Sequence, residues 1–318
     1  MSMSESASET GSQVVPASAT LESAISPALT TEALSPRERL MRVVNSSVLT
    51  TIVVLIAVIW SVPTLGLFIS SFRPAAAIHD TGWWVSLLPP WHFTLDNYRQ
   101  VITSQGMGQA FLSSLIIAVP GTILPMLVAA FAAYAFAWMK FPARDWIFLA
   151  IVGLLVVPIQ MTLIPILGMF TAINITGSYQ AIWLAHIAYG LPFAVYLLRN
   201  FFGGLPSDLL ESARIDGASN TRIFFNIMLP LSVPALASLA IFQFMWVWND
   251  LLVALIVLGG NPEKAPVTVR IAELVNSFGS GYEVLTAAAF LSMALPLAIF
   301  FGLQRYFVRG ILAGSVKG

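Results

Sequence analysis

The chain has 318 residues, of which 58% are hydrophobic and only 9% charged, with 15 basic residues balanced by 15 acidic ones. Soluble domains carry about 25% charged residues, so a deficit of this size places the chain in the membrane class. It has no cysteine, its basic residues are scattered, and His79, His92 and His186 have no ligand spacing. Disulfide frameworks, thiol catalysis, a metal centre and a nucleic-acid partner are therefore not expected.

Residues 1–40 differ from the rest. They are rich in Ser, Ala and Thr, carry Glu5, Glu9, Glu22 and Glu32, and hold no basic residue before Arg37. Such a segment buries too little apolar surface to order itself, and it lacks the basic start and compact apolar core of a signal peptide. It is expected to be a disordered cytoplasmic tail. Residues 41–318 form the membrane domain.

A helix needs about 20 apolar residues to cross a bilayer. Val43 to Phe72 contains no charge and predicts span one. Span two is predicted at 109–138, with Pro120 and Pro125 as kinks. The 53 residues from Trp146 to Leu198 carry no Asp, Glu, Lys or Arg. That length predicts spans three and four, separated at Asn174-Ile175-Thr176-Gly177-Ser178, where turn formers cluster. Span five is predicted over Val233–Leu258 and span six over Val284–Gln304. The fold class expected is all-α: a polytopic bundle of six transmembrane helices.

The flanking Lys and Arg orient it. With the N-terminus inside, 11 basic residues, among them Lys140, Arg144, Arg199 and Arg214, fall on the inner side and 4 on the outer. Both termini are then cytoplasmic, and so is the one long polar stretch of the second half, residues 203–231.

That stretch is patterned like packed helix. Asp208 is positioned to cap a first short helix, with Glu211 three residues on as in a capping box. Gly217 is positioned to end it, since glycine accepts the positive φ of a C-terminal cap. Ser219, Asn220 or Thr221 can cap a second helix running to about Met228, which Pro230 would close. Leu209, Leu210, Ala213, Ile223, Phe224 and Ile227 supply an apolar side that needs a partner: another subunit, lipid, or the bundle itself.

Glu211-Ser212-Ala213, then Gly217, then Ile227-Met228-Leu229-Pro230 resembles the "EAA" loop of ATP-binding-cassette importer permeases. It departs only at Ser212, where the pattern has alanine. Ala133-Tyr134-Ala135-Phe136-Ala137, Leu191-Pro192-Phe193 and Trp246-Val247-Trp248-Asn249-Asp250 resemble the carbohydrate branch of that family. The terminus from Phe307 to Gly318 is similar to that of the smaller permease of maltose-type systems. The resemblance implies a prokaryotic inner-membrane protein that is not itself an enzyme. Its implied partners are a second permease, two cytoplasmic ATPase subunits and an extracytoplasmic solute-binding protein. It also implies that Glu211, Ser212, Ala213, Asp216, Gly217, Ile227, Leu229 and Pro230 dock on the ATPase. No Gly-x-x-x-x-Gly-Lys-Ser/Thr is present, so ATP and magnesium belong to the partners and no cofactor is expected on this chain.

Asp250 is the only charged side chain inside the six predicted spans. A carboxylate there costs at least about 2.5 kcal/mol and faces a cavity or a polar partner. Asn249, Trp246 and Trp248 beside it offer the hydrogen bonds and aromatic faces that suit a sugar, while a hydrogen bond to a neighbouring helix or to the partner permease is the competing assignment. Gln160 and Gln243 are further candidates for the same path, and His186 is expected to be a packing residue. The cargo is then a carbohydrate, with an oligosaccharide favoured over a polyol, glycerol phosphate or another polar solute. A stand-alone secondary transporter would need an inverted repeat or a row of intramembrane charge, and neither is visible.

Overall fold

The structure, a computed structural model, describes residues 36–104, 106–275 and 281–315, and every regular element among them is helical. Of the expected 1–40 tail, only the last five residues fall within this range. They begin helix α1 (Pro36–Ser71). The chain forms two units that meet at Val62 and Pro63. In the first, α1 exposes apolar side chains all round, including Ile59 at 66% and Trp60 at 80%. A helix apolar on every side, with no core of its own, is built to be solvated by lipid.

The second unit continues through α2 (Ala75–Asp80), a 3₁₀ turn at Trp83–Leu87, α3 (Asp96–Ser104) and α4 (Met107–Trp138). Arg73 straps the connection after α1. It is 2% exposed and donates through Nη1 to Thr81 O (3.1 Å) and through Nη2 to Ala77 O (2.6 Å), at the carbonyl end of α2. Its burial pulls the guanidinium pKa below the ordinary arginine value. Asn97 Nδ2 donates to Ser71 O and Arg73 O, each at 2.9 Å, and closes the same loop.

Then come α5 (Arg144–Gly153), a 3₁₀ turn at Leu154–Val156, α6 (Ile159–Ala172) and α7 (Tyr179–Gly203). After them follow α8 (Ser207–Ile215), α9 (Asn220–Leu231), α10 (Val233–Trp248), α11 (Leu252–Leu258), α12 (Val267–Val275) and α13 (Tyr282–Ser315). Four helices are continuously long and apolar enough to cross a membrane: 47–71, 107–138, 179–203 and 282–304. Two bent pairs, 144–156 with 159–172 (104°) and 220–231 with 233–248 (73°), raise the count to as many as six.

Two of the expected spans are therefore corrected. Span three is broken at Val157-Pro158, because proline has no N–H and forces its predecessor out of the helical region; Val157 is extended, with ψ 118°. Span five does not run unbroken to Leu258. It stops at Trp248 and restarts at Leu252, with Asn249-Asp250-Leu251 between. Pro120 and Pro125, by contrast, lie within a continuous α4. The turn expected at 174–178 is present. Asn174 and Gly177 take positive φ there, and Ser178 Oγ caps α7 by accepting from Ala181 N at 3.2 Å.

The central contact is α4 against α7, built on small side chains: Ala118, Ala129, Ala130 and Ala133 face a helix carrying Ala181, Ala185 and Ala194, all buried. Lipid supplies no hydrophobic drive for association, so close backbone approach through small residues holds such helices together. Indole donors add specificity. Trp183 Nε1 reaches Ile116 O at 2.8 Å, Trp138 Nε1 reaches Phe202 O at 3.0 Å, and Trp248 Nε1 reaches Ser292 O at 3.2 Å.

Candidate functional site

The polar stretch 203–231 is the helix pair α8–α9. Contrary to the expectation from sequence, Asp208 does not cap α8. Pro206, with φ −59° and ψ 130°, holds the N-cap position without a side-chain acceptor, so the helix begins two residues earlier than a cap at Asp208 would allow, at Ser207. Asp208 lies in the first turn instead, where its charge still favours the helix dipole. Gly217 does end α8. At φ 78° it donates to Arg214 O (3.0 Å), and Ala218 N donates to Ala213 O (2.9 Å), the paired bonds of a Schellman cap. Ser219 Oγ then accepts from Arg222 N at 3.3 Å and starts α9.

Pro230 does not close α9. A π-turn at Phe224–Met228 rearranges the hydrogen-bond ladder just ahead of the proline, and the helix continues to Leu231 before bending at Ser232. Sequence periodicity carried no signal for that turn.

The pair presents two faces. Leu210, Ile223, Phe224 and Met228 are at most 3% exposed and join the buried cluster of α4 and α7, where Phe224 stacks on Phe131 with centroids 4.7 Å apart. The bundle itself thus covers much of the apolar side. Leu209 and Ile215 of α8 stay exposed, Ile215 at 85%, while Phe225 of α9 is partly exposed but meets Phe131 of α4 edge-on at 6.0 Å. Of the expected docking residues, Glu211, Ser212, Asp216, Gly217 and Pro230 are exposed, while Ala213, Ile227 and Leu229 are half-buried. Tyr134 Oη donates to Asn220 Oδ1 at 3.4 Å, tying α9 to the end of α4.

The expected path residues fall in different surroundings. Gln243 and Trp246 line a cavity of about 310 Å³ together with Ile159, Tyr189, Gly190, Phe193 and Phe242. Gln243 Nε2 donates to Gly121 O at 3.1 Å, and Tyr189 Oη lies 2.8 Å from Thr162 Oγ1. Gln160 is exposed on the first turn of α6, next to Ile159. Trp248 is 3% exposed, stacked on Phe244 with centroids 5.5 Å apart. Asn249 is exposed and donates to Met245 O at 2.7 Å, beside a smaller hollow of about 210 Å³ that includes Ser292 and Pro296.

Asp250 occupies the helix break. Its Oδ1 accepts from Val253 N at 3.2 Å and its Oδ2 from Ala254 N at 3.0 Å, so the carboxylate caps the first turn of α11 from the residue before its N-cap, Leu251. Its Oδ2 is also 3.8 Å from Nε2 of His186, which is fully buried and lies edge-on to Trp246 at 5.3 Å. Span four holds no acid of its own, but the fold brings one to His186 from the broken span five.

Gly190 is, with Ile159, Tyr189 and Phe242, a cavity position that sequence reasoning missed. A Cβ there would lie 2.4 Å from Gln243 Nε2, so the amide occupies the space that glycine leaves. Gly190→Ala should displace Gln243 from Gly121 O and so cost about 1 kcal/mol more than the same substitution made where Gln243 is absent, a comparison in which the helix propensity of alanine cancels. Thermal unfolding of the detergent-solubilised protein should register that loss. In a Gln243→Ala background the same substitution should be neutral or stabilising, and an equal effect in both backgrounds would rule this packing out.

Residues 126–313 match the family described as binding-protein-dependent transport system inner membrane component. The osmoprotective compounds uptake permease of Synechocystis sp. is 57% identical over 265 residues, covering 82% of this chain and 89% of that protein. The alpha-glucoside transport system permease of Rhizobium meliloti is 55% identical over 235 residues, covering 72% of this chain and 62% of its own length. A solved chain of a bacterial importer of the acidic polysaccharide alginate shares the fold, with a TM-score of 0.71 over 87% of this chain and all of that one, at 20% identity. The chain belongs to the binding-protein-dependent transport system inner membrane component family, the permeases of ATP-binding-cassette importers.

Proposed function

We propose that this permease carries a small α-glucoside across the membrane, together with a second permease, two ATPase subunits and an extracytoplasmic binding protein. Both termini and the α8–α9 pair then lie on the cytoplasmic side, as the basic flanks suggest. The observation that carries the coupling role is the two-faced geometry of α8–α9. One set of side chains is locked into α4 and α7, while Leu209, Glu211 and Ile215 of α8 remain exposed. A rigid element with one face committed to the bundle transmits movement applied to the other as a rotation of the bundle.

For the solute, support comes from the α-glucoside permease at 55% identity and from the aromatic cavity around Trp246 and Tyr189. Aromatic faces stack on the C–H faces of sugars, and the Gln243 amide and Tyr189 hydroxyl offer hydrogen bonds. In this assignment Gln243, Trp246 and the neighbouring Gln160 belong to the path, with Asn249 at its edge. Asp250 and Trp248 shape it from behind, as cap and packing. A second assignment, an osmoprotective solute, is favoured by the 57% identical Synechocystis permease.

The assembled complex in proteoliposomes, with its binding protein, separates the two. α-Glucosides should stimulate ATP hydrolysis and be taken up. Stimulation by osmoprotective solutes with none by α-glucosides would select the second assignment. Uptake without any ATPase subunit would overturn both.

A further inference from the structure

We propose that the hollow joining α4 to α5 binds the headgroup of an anionic phospholipid, whose acyl chains lie along the exposed face of α5. The hollow has a volume of about 480 Å³ and is lined by Lys140, Phe141, Ala143, Arg144, Asp145 and Trp146. It holds two cations and one carboxylate. Arg144 Nε pairs with Asp145 Oδ1 at 2.9 Å, and Arg144 Nη1 lies 3.5 Å from Met139 O. Lys140 is exposed and makes no ion pair among the described residues. One positive charge is thus left without an internal counter-ion.

The hollow opens onto an apolar strip. Trp146 (76% exposed), Leu149 (58%) and Val156 (83%) recur with Gly153 at three- and four-residue spacing along one side of α5 and its 3₁₀ extension. Its position fits a headgroup, because it lies between the end of one membrane-length helix and the start of the next apolar pair. A basic pocket at that depth meets phosphodiesters, and an indole beside it sits at the boundary of headgroup and acyl chain. A soluble anion would use the cations and have no use for the strip. The amphipathic combination selects a lipid.

The hollow also adjoins the coupling helices, since Arg214 Nη2 of α8 lies 3.5 Å from Trp138 O, one residue before Met139. The proposal does not depend on which solute is carried.

The test uses the full chain with its co-purifying subunits, in nanodiscs containing acyl-brominated phosphatidylglycerol or phosphatidylcholine at equal mole fraction. The quenching attributable to Trp146 is the difference between the wild type and Trp146→Phe. It should be about fivefold greater with phosphatidylglycerol, the ratio expected for one uncompensated basic charge. The Lys140→Gln/Arg144→Gln double variant should reduce it to the phosphatidylcholine level. Excess inorganic phosphate should leave it unchanged. Equal quenching by both lipids would overturn the proposal, as would quenching by neither, which would mean that another subunit covers the strip. Loss of the difference on adding phosphate would assign the hollow to a free anion. None of these readouts requires transport, so the solute assignment stands or falls separately.

Discussion

Gly217→Val should abolish solute uptake without changing the amount of permease in the membrane. Gly217 has φ 78°, and no heavy atom lies within 4 Å of a Cβ built there, so a substitution meets no steric clash. The whole effect is then in the backbone. A left-handed conformation costs an ordinary L-residue roughly 1–2 kcal/mol, and β-branched valine is among the least tolerant. To escape, the chain must give up the bonds from Gly217 N to Arg214 O and from Ala218 N to Ala213 O, which set the direction of α9 relative to α8. α8 would remain anchored by Leu210 and α9 by Ile223 and Phe224, so the bundle should still insert and fold. What changes is the placement of the exposed α8 side chains, Glu211 and Ile215, relative to α9. Uptake should fall in the order Gly, Asn, Ala, Val, because asparagine tolerates positive φ better than alanine. Uptake normalised to immunoblotted membrane protein checks this. Unimpaired uptake by the valine variant would remove the coupling role.

Which parts of this arrangement were legible in the sequence follows from the range of the forces involved. Gly217 and Ser219 were readable because capping is local and the residue type is nearly dictated by the backbone it must adopt. The four uninterrupted helices were readable because the bilayer imposes length and polarity on each alone. Asp208 failed for a local reason as well: Pro206 claimed the cap position first. The break at Asn249-Asp250-Leu251 was hidden because the surrounding residues are as apolar as any span, and hydropathy does not register which atom pairs with an N–H. The contacts of His186 with Asp250 and of Gly190 with Gln243 join helices far apart in sequence. No period or spacing announces them. Trp248 illustrates the limit for sites: an indole beside an intramembrane carboxylate suits a sugar, yet here its N–H is spent on Ser292 O.

Asp250→Ala should destabilise the protein in detergent more than Asp250→Asn, and the pair of variants separates the two roles open to this carboxylate. Its oxygens accept from Val253 N and Ala254 N, where α11 restarts inside an apolar surrounding. Alanine leaves both donors unpaired, at about 1–3 kcal/mol for each that finds no other acceptor. Asparagine keeps one acceptor oxygen and should lose about half as much. The bond from Thr268 Oγ1 to the Asp250 carbonyl, 2.6 Å, survives both changes and keeps α12 in place. Thermal midpoints should therefore fall in the order Asp, Asn, Ala. If capping is the whole role, uptake should track those midpoints, and asparagine should retain most of it. If the charge itself serves the solute, asparagine should lose uptake as fully as alanine while remaining the more stable of the two. Midpoints identical in all three proteins would show that the N–H groups of Val253 and Ala254 do not depend on this side chain, and the cap would have to be abandoned.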